Sequence, residues 1–68
     1  MASVTERVAA RVKALRAEHG ISQETLAEKT GLNRLTITRL EAAAHPPNVE
    51  TLDKIARALQ VTVAALVK

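Results

Sequence analysis

The sequence predicts an all-α fold of five short helices, and three observations support this prediction. Nearly half of the 68 residues are apolar, yet none is Phe, Tyr or Trp and only two are Gly, a composition that favours helices. Five polar residues of the kind that cap helix N-termini precede apolar runs. Within those runs the apolar residues recur at helical spacings of three and four. A chain this short forms one marginally stable domain, so we expect a partner chain to contribute.

The first helix begins at a capping box and ends at a glycine. Ser3 and Glu6 have the spacing of that box, in which each side chain accepts a hydrogen bond from the backbone of the other residue. Gly20 supplies a left-handed stop, so we expect the helix to span about residues 4–18. The apolar stripe that faces the core consists of Val4, Val8, Val12 and Leu15.

The next two helices are short and are joined by a turn with one glycine. Ser22 caps the second helix, and Gly31 follows only nine residues later. Asn33 caps a third helix that we expect over about residues 34–42. The core of this pair contains Leu26, Ala27, Leu32, Ile37 and Leu40.

Two prolines in "AAHPPN" break the chain before the last two helices, since proline lacks an amide hydrogen. Asn48 caps the fourth helix and Thr62 caps the fifth. The fourth helix carries a complete apolar pattern of Leu52, Ile55, Ala56 and Leu59. The fifth carries three apolar residues that belong either to the core or to a contact with a second chain: Val63, Leu66 and Val67.

Composition excludes several classes of site. The chain has no cysteine, and His19 and His45 are far apart without neighbouring ligands, so we expect no metal and no cofactor. We find no nucleophile with a base, no paired carboxylates and no phosphate-binding glycine loop, so we expect no catalysis. The longest apolar stretches are too short to span a bilayer. The sequence is therefore expected to belong to a cytoplasmic binding protein.

The distribution of charge is more informative than the net charge of +3. Residues 29–40 contain no acid but include Arg34 and Arg39. The basic residues of the first helix, such as Arg7 and Arg11, are expected to form an ordinary solvated face. Positive charge is thus available on the third helix for an anionic partner.

The segment "QETLAEKTGLNRLTITRLEA", residues 23–42, resembles the helix-turn-helix of the phage repressor and Cro family. The matching positions are Leu26, Ala27, Gly31, Leu32, Ile37 and Leu40. The likeness continues outside the motif through Arg16, "GISQ", Glu41, Pro47, "TLDKIARAL" and "VTVAAL". The resemblance implies that residues 1–68 form a compact five-helix lambda repressor-like DNA-binding domain, with the helix-turn-helix formed by helices 2 and 3.

In this family the third helix lies in the DNA major groove with its first residues at base edges. At about 100° per residue, Ile37 and Leu40 centre the buried face, which places Leu35 on the opposite face. The expected base contacts are Arg34, Leu35, Thr38 and Arg39. The arginines can each bind guanine O6 and N7, the leucine can contact thymine methyls, and the threonine can bond a base or a phosphate. For Arg39, contact with a phosphate is the alternative to contact with a base.

The resemblance also implies a set of backbone contacts. Gln23 is similar to the family glutamine that holds a phosphate, and the N-terminus of its helix assists. The expected phosphate contacts are Ser22, Gln23, Asn33 and Arg16. Arg16 and Glu41 match the family ion pair that ties the first helix to the end of the third.

Family members dimerise through the loop before the fourth helix and through the last helix. The residues that this implies here are Pro46, Pro47, Val63, Leu66 and Val67. The chain departs from the family pattern where Ala42, Ala43 and Ala44 replace an Asn or Arg and a Gly, and where Gln60 replaces a Gly. We therefore expect the third helix to extend slightly, and the non-specific DNA affinity to be lower than in lysine-rich relatives.

These features predict a dimeric, sequence-specific DNA-binding transcriptional regulator that represses by binding a palindromic operator in double-stranded DNA. It would be cytoplasmic and associated with the nucleoid when bound. Two alternatives remain open. One is the antitoxin of a toxin-antitoxin pair, which binds both DNA and a toxin. The other is a helical protein-interaction module without DNA binding, although the basic third helix argues against it.

Overall fold

The computed structural model describes residues 2–68, which form five α-helices. They are α1 (Val4–Glu18), α2 (Gln23–Thr30), α3 (Arg34–Glu41), α4 (Val49–Ala58) and α5 (Val63–Val67). Every predicted N-cap is confirmed, since each cap side chain accepts a hydrogen bond from a backbone amide of its own helix. Within these residues none of the helices has the length and apolar content needed to span a bilayer.

The predicted extension of α3 is wrong, because the helix ends at Glu41. Ala43 adopts a left-handed conformation with φ of 55°. Its amide donates to the Leu40 carbonyl at 3.0 Å, and the Ala44 amide donates to the Arg39 carbonyl at 3.0 Å. These two bonds form a Schellman motif, which satisfies the last carbonyls of the helix. Hydrogen bonding thus stops the helix at a position where glycine is usual.

We predict that Ala43→Gly will raise the free energy of unfolding by about 1 kcal/mol, because a Cβ in the left-handed region is strained. Urea denaturation followed by circular dichroism measures this change. Ala42→Gly is the matched control, since Ala42 has a φ of −86° and gains nothing from glycine. Ala42→Gly should lower the stability by about 0.5 to 1 kcal/mol. Equal effects at the two positions would show that strain at Ala43 is negligible.

The helices enclose one apolar core through a closed ring of contacts. In this ring α1 packs on α3 and α5, α2 packs on α3 and α4, and α4 packs on α5. All five helices or their caps supply buried apolar side chains. The core consists of Val8, Val12, Leu26, Ala27, Ile37, Leu40, Leu52, Ile55, Ala56, Leu59 and Leu66. This arrangement confirms the predicted core positions of α2, α3 and α4, with Leu32 half-buried against them.

Two predictions about apolar residues are wrong. Val4 is 51% exposed, because it lies in the first turn of α1, one turn before the buried residues Val8, Ala9 and Val12. Leu66 is fully buried in the core, so it has no surface left for a contact with a second chain. The assignment of Leu66 to the dimer interface is therefore incorrect in this fold. Burial of Leu66 follows from the packing of α5 against both α1 and α4.

Candidate nucleic-acid interface

The face of α3 that points away from the core carries the four residues expected to contact bases. Arg34, Leu35, Thr38 and Arg39 are all exposed, and Leu35 is 50% exposed. Ile37 and Leu40 are buried on the opposite side. The structure thus confirms the predicted exposure of these side chains, and it brings them together on one helical surface.

Arg34 has an acidic neighbour that the sequence patterns did not indicate. Its Nη1 atom lies 3.9 Å from Oε2 of Glu24, which is in the first turn of α2. The two side chains are 63% and 70% exposed, so the interaction holds Arg34 only weakly. The guanidinium therefore remains available to another acceptor.

Arg39 occupies the edge of the exposed face. It lines a surface cleft between α3 and the following loop, together with Thr36, His45 and the two prolines at positions 46 and 47. Arg39 is exposed, and base contact and phosphate contact both stay predictions for it.

Arg16 and Glu41 form the predicted ion pair between α1 and α3. Arg16 Nε donates to Glu41 Oε2 at 2.8 Å, and Arg16 Nη2 donates to Glu41 Oε1 at 3.0 Å. Arg16 Nη1 donates to the Ile21 carbonyl at 3.0 Å. A guanidinium has five N–H groups, and Arg16 uses three in these bonds. The side chain of Arg16 is 20% exposed, and its contact with a phosphate stays a prediction.

The Glu41 carboxylate is almost completely enclosed, with 2% of its side chain exposed. Burial alone would raise the pKa of Glu41, but hydrogen bonds from Arg16 and Gln23 and the charges of Arg16 and Lys13 lower it below its ordinary value. The hydrogen bond to Glu41 in turn raises the pKa of Arg16. Both groups are therefore ionised at neutral pH, and the negative charge of Glu41 is neutralised inside the protein.

Gln23 connects this ion pair to the exposed face of α3. Its Nε2 donates to Glu41 Oε1 at 3.2 Å, and its Oε1 accepts from Thr38 Oγ1 at 3.0 Å. The Thr38 contact was not predicted, because it joins residues fifteen positions apart on two different helices. One amide hydrogen of Gln23 remains for a phosphate, as its predicted role requires.

Ser22 and Asn33, the other two predicted phosphate contacts, are exposed at the N-termini of α2 and α3. Ser22 Oγ accepts from the Thr25 amide at 3.0 Å and donates to Thr25 Oγ1 at 3.1 Å. Asn33 Oδ1 accepts from the Leu35 amide at 2.7 Å. The carboxamide NH2 of Asn33 remains for another acceptor, whereas the Ser22 hydroxyl hydrogen is already used.

Of the residues predicted to contact a second chain, four retain exposed surface. Pro46 is exposed, and Pro47, Val63 and Val67 are half-buried. Val49, which was not among the predicted residues, is an exposed apolar side chain, 75% accessible directly after the cap of α4. Val49 has helical spacing to Leu52 and Ala56 but is the first residue of α4, one turn before the buried positions.

Comparison with known proteins places this arrangement in a family. The helix-turn-helix family matches residues 12–66. The immunity repressor protein of Bacillus phage phi105 is 38% identical over 60 residues, which cover 88% of this chain and 42% of the phage protein. The chain therefore spans less than half the length of that relative.

Solved structures give the same assignment. The P22 c2 repressor protein, in complex with a synthetic operator, superimposes with a TM-score of 0.84 at 30% identity, covering 90% of this chain and 92% of that one. The tetramer of a restriction-modification controller protein, in complex with its natural 35 base-pair operator, gives a TM-score of 0.86 at 27% identity, covering 97% and 87%. The chain thus belongs to the helix-turn-helix family of phage repressor and Cro type, as a DNA-binding domain of the transcriptional regulator class.

Proposed function

We propose that the domain represses transcription by binding a palindromic operator as a dimer, with α3 of each copy in the major groove. The observation that carries this proposal is the exposed face of α3, where two arginines lie on either side of an exposed leucine. Such a surface suits guanine edges and thymine methyls. Glu41, the only acid of α3, is turned inward and neutralised by Arg16, so it does not repel DNA.

Dimerisation is part of the proposal for two reasons. The exposed face of α3 is small, and apolar side chains outside it remain accessible. One short helix makes few base contacts, so two copies on half-sites about 34 Å apart are needed for high affinity. Pro46, Pro47, Val63 and Val67 remain available for a contact between copies. The operator-bound tetramer of the related controller protein supports self-association in this fold. The proposal also places the protein in the cytoplasm, at the nucleoid when bound.

The test is selection of binding sites from random double-stranded DNA, followed by affinity measurements on the selected site. For Arg34→Ala we expect loss of preference at one or two base positions in each half-site, by about 1 to 3 kcal/mol, because a guanidinium discriminates guanine through two hydrogen bonds. Gln23→Ala should instead weaken binding through the lost phosphate contact and leave the preference at the positions read by Arg34 unchanged.

Arg57→Ala is the matched control, since Arg57 is an exposed arginine on α4 with 80% of its side chain accessible. It should leave the selected sequence unchanged. If wild-type protein selects no palindromic site, the operator proposal is wrong and the protein-interaction module becomes the better description. If a site is selected but Arg34→Ala leaves it unaltered, α3 does not read the bases as proposed.

The antitoxin alternative requires one binding surface more than the repressor proposal. An antitoxin needs a second surface for its toxin, in addition to the DNA face and the dimer contact. Residues 2–68 form a body of only 31 × 21 × 21 Å, on which three separate surfaces would have to fit. We therefore propose the repressor as the first function to test, with a toxin complex as the outcome that would revise it.

A further inference from the structure

A chain of four side chains runs from the interior of the domain to the base-reading face of α3. It joins Arg16, Glu41, Gln23 and Thr38 through hydrogen bonds of 2.8 to 3.2 Å. It starts at a guanidinium, which can only donate, and next reaches an ionised carboxylate, which can only accept. The direction of every hydrogen bond in the chain is therefore fixed by its inner end.

The carboxylate orients the amide of Gln23. An amide can normally be placed in either of two orientations, which differ by exchange of the oxygen and the nitrogen. Here Glu41 Oε1 lies 3.2 Å from one end of that amide, and only the NH2 group can approach a carboxylate oxygen without repulsion. The amide oxygen of Gln23 is thereby turned toward Thr38.

Thr38 must then donate to Gln23. Its Oγ1 lies 3.0 Å from the Gln23 oxygen, which has no hydrogen to give. A hydroxyl group has a single hydrogen and two lone pairs, so this bond uses the only hydrogen of Thr38. The outward side of the hydroxyl has only lone pairs, and Thr38 is exposed on the same face of α3 as Leu35.

We propose that Thr38 acts in DNA recognition only as a hydrogen-bond acceptor, and that it therefore selects a base with an exocyclic amino group in the major groove. This inference rests on the proposed function, since it assumes that α3 lies in that groove. Adenine N6 and cytosine N4 are the two donors that the groove presents. Guanine and thymine present only acceptors there, and a phosphate oxygen is also an acceptor. The hydroxyl of an unrestrained threonine would serve all of these partners.

The same chain couples base recognition to the backbone contact of Gln23. The amide hydrogen of Gln23 that does not bond Glu41 is the one left for a phosphate. Because one amide serves both Thr38 and the phosphate, the orientation that Glu41 gives to Gln23 determines both contacts. Gln23 thus links the base contact of Thr38 to its own phosphate contact.

The first test repeats the selection from random DNA with wild type, Thr38→Ser and Thr38→Val. Valine keeps the shape of threonine without its oxygen, and serine keeps the hydroxyl group. Wild type and Thr38→Ser should both enrich adenine or cytosine at one position of each half-site, and Thr38→Val should lose about 3- to 10-fold of that preference. Circular dichroism confirms that each variant is folded.

The second test removes the amino group from the DNA instead of the hydroxyl group from the protein. In the selected site, adenine is replaced by 2-aminopurine, or cytosine by 2-pyrimidinone, so that the major-groove amino group is absent. Wild-type affinity should fall by about 3- to 10-fold, whereas Thr38→Val should lose little, since the two changes remove the same hydrogen bond.

Two outcomes would overturn this inference and leave the proposed function intact. In one, the position that depends on Thr38 enriches guanine or thymine. In the other, wild type and Thr38→Val lose the same affinity when the amino group is removed. If wild-type protein selects no site at all, the proposed function fails and this inference fails with it. The three results are distinguishable within one set of experiments.

Discussion

Glu41→Ala is expected to leave most of the domain unfolded at neutral pH. The substitution removes the carboxylate that accepts from Arg16 Nε and Nη2, leaving the Ile21 carbonyl as the acceptor of Arg16, and it removes the acceptor of Gln23. Removal of one partner from a buried ion pair costs about 3 to 5 kcal/mol. A core of this size supplies only about 3 to 5 kcal/mol in total. Urea denaturation followed by circular dichroism measures the loss.

The double substitution Arg16→Met with Glu41→Leu removes the charges of the ion pair but keeps most of the side-chain volume. Apolar residues of similar volume avoid a buried unpaired charge, so the double variant should be more stable than Glu41→Ala. It should still bind DNA less well, because it lacks the predicted phosphate contact of Arg16 and because Gln23 and Thr38 lose the group that orients them. Equal instability of the single and double variants would mean that packing, not charge, determines the effect of Glu41.

The same carboxylate gives the domain an acid-sensitive contribution to stability. The pKa of Glu41 is lower in the folded protein than its ordinary value of about 4.5, so the unfolded chain binds a proton more readily. The contribution of Glu41 is therefore complete above about pH 4.5 and decreases as pH falls through the lowered pKa. The folded variant Arg16→Met with Glu41→Leu should show a flatter stability profile across this acid range.

Leu66→Ala is expected to lower the free energy of unfolding by about 2 to 5 kcal/mol, whatever the protein concentration. Leu66 is fully buried between α5 and the rest of the core, and truncation of such a side chain leaves a cavity. Urea denaturation at several protein concentrations measures both the size and the concentration dependence of the effect. This result would agree with the structure and not with a dimer contact at this position.

Val67→Ala is the matched control for Leu66, because Val67 lies on the same short helix but is only half-buried. If Val67 contacts a second copy, its substitution should weaken association in sedimentation experiments more than it lowers the stability of the monomer. A Leu66→Ala variant that stays fully folded as a monomer but no longer associates would restore the original dimer assignment of that residue.

Helix starts are the features that local sequence predicts best. Ser3 and Glu6 form their capping box at 2.9 and 3.1 Å as expected, because both partners lie within three residues of each other. Helix ends are less predictable. Gly20 and Gly31 end their helices as expected, whereas Ala43 and Gln60 adopt the same left-handed conformation without being glycine. At these two positions the following chain must turn, and the fold imposes a conformation that the residue itself does not prefer.

The sequence by itself determined the five helices, the buried stripe of α4, the outward face of α3 and the Arg16–Glu41 pair that the family resemblance implied. The helices, the stripe and the outward face depend on local hydrogen bonds and on a helical period of about 3.6 residues, which are properties of the chain alone. The Arg16–Glu41 pair joins residues 25 positions apart, so only the resemblance, and not the local sequence, indicated it. Tertiary structure decided the burial of Leu66, the exposure of Val4 and the bond from Thr38 to Gln23. These features depend on which helices pack together, and the Thr38 bond joins residues fifteen positions apart whose spacing carries no information about their contact.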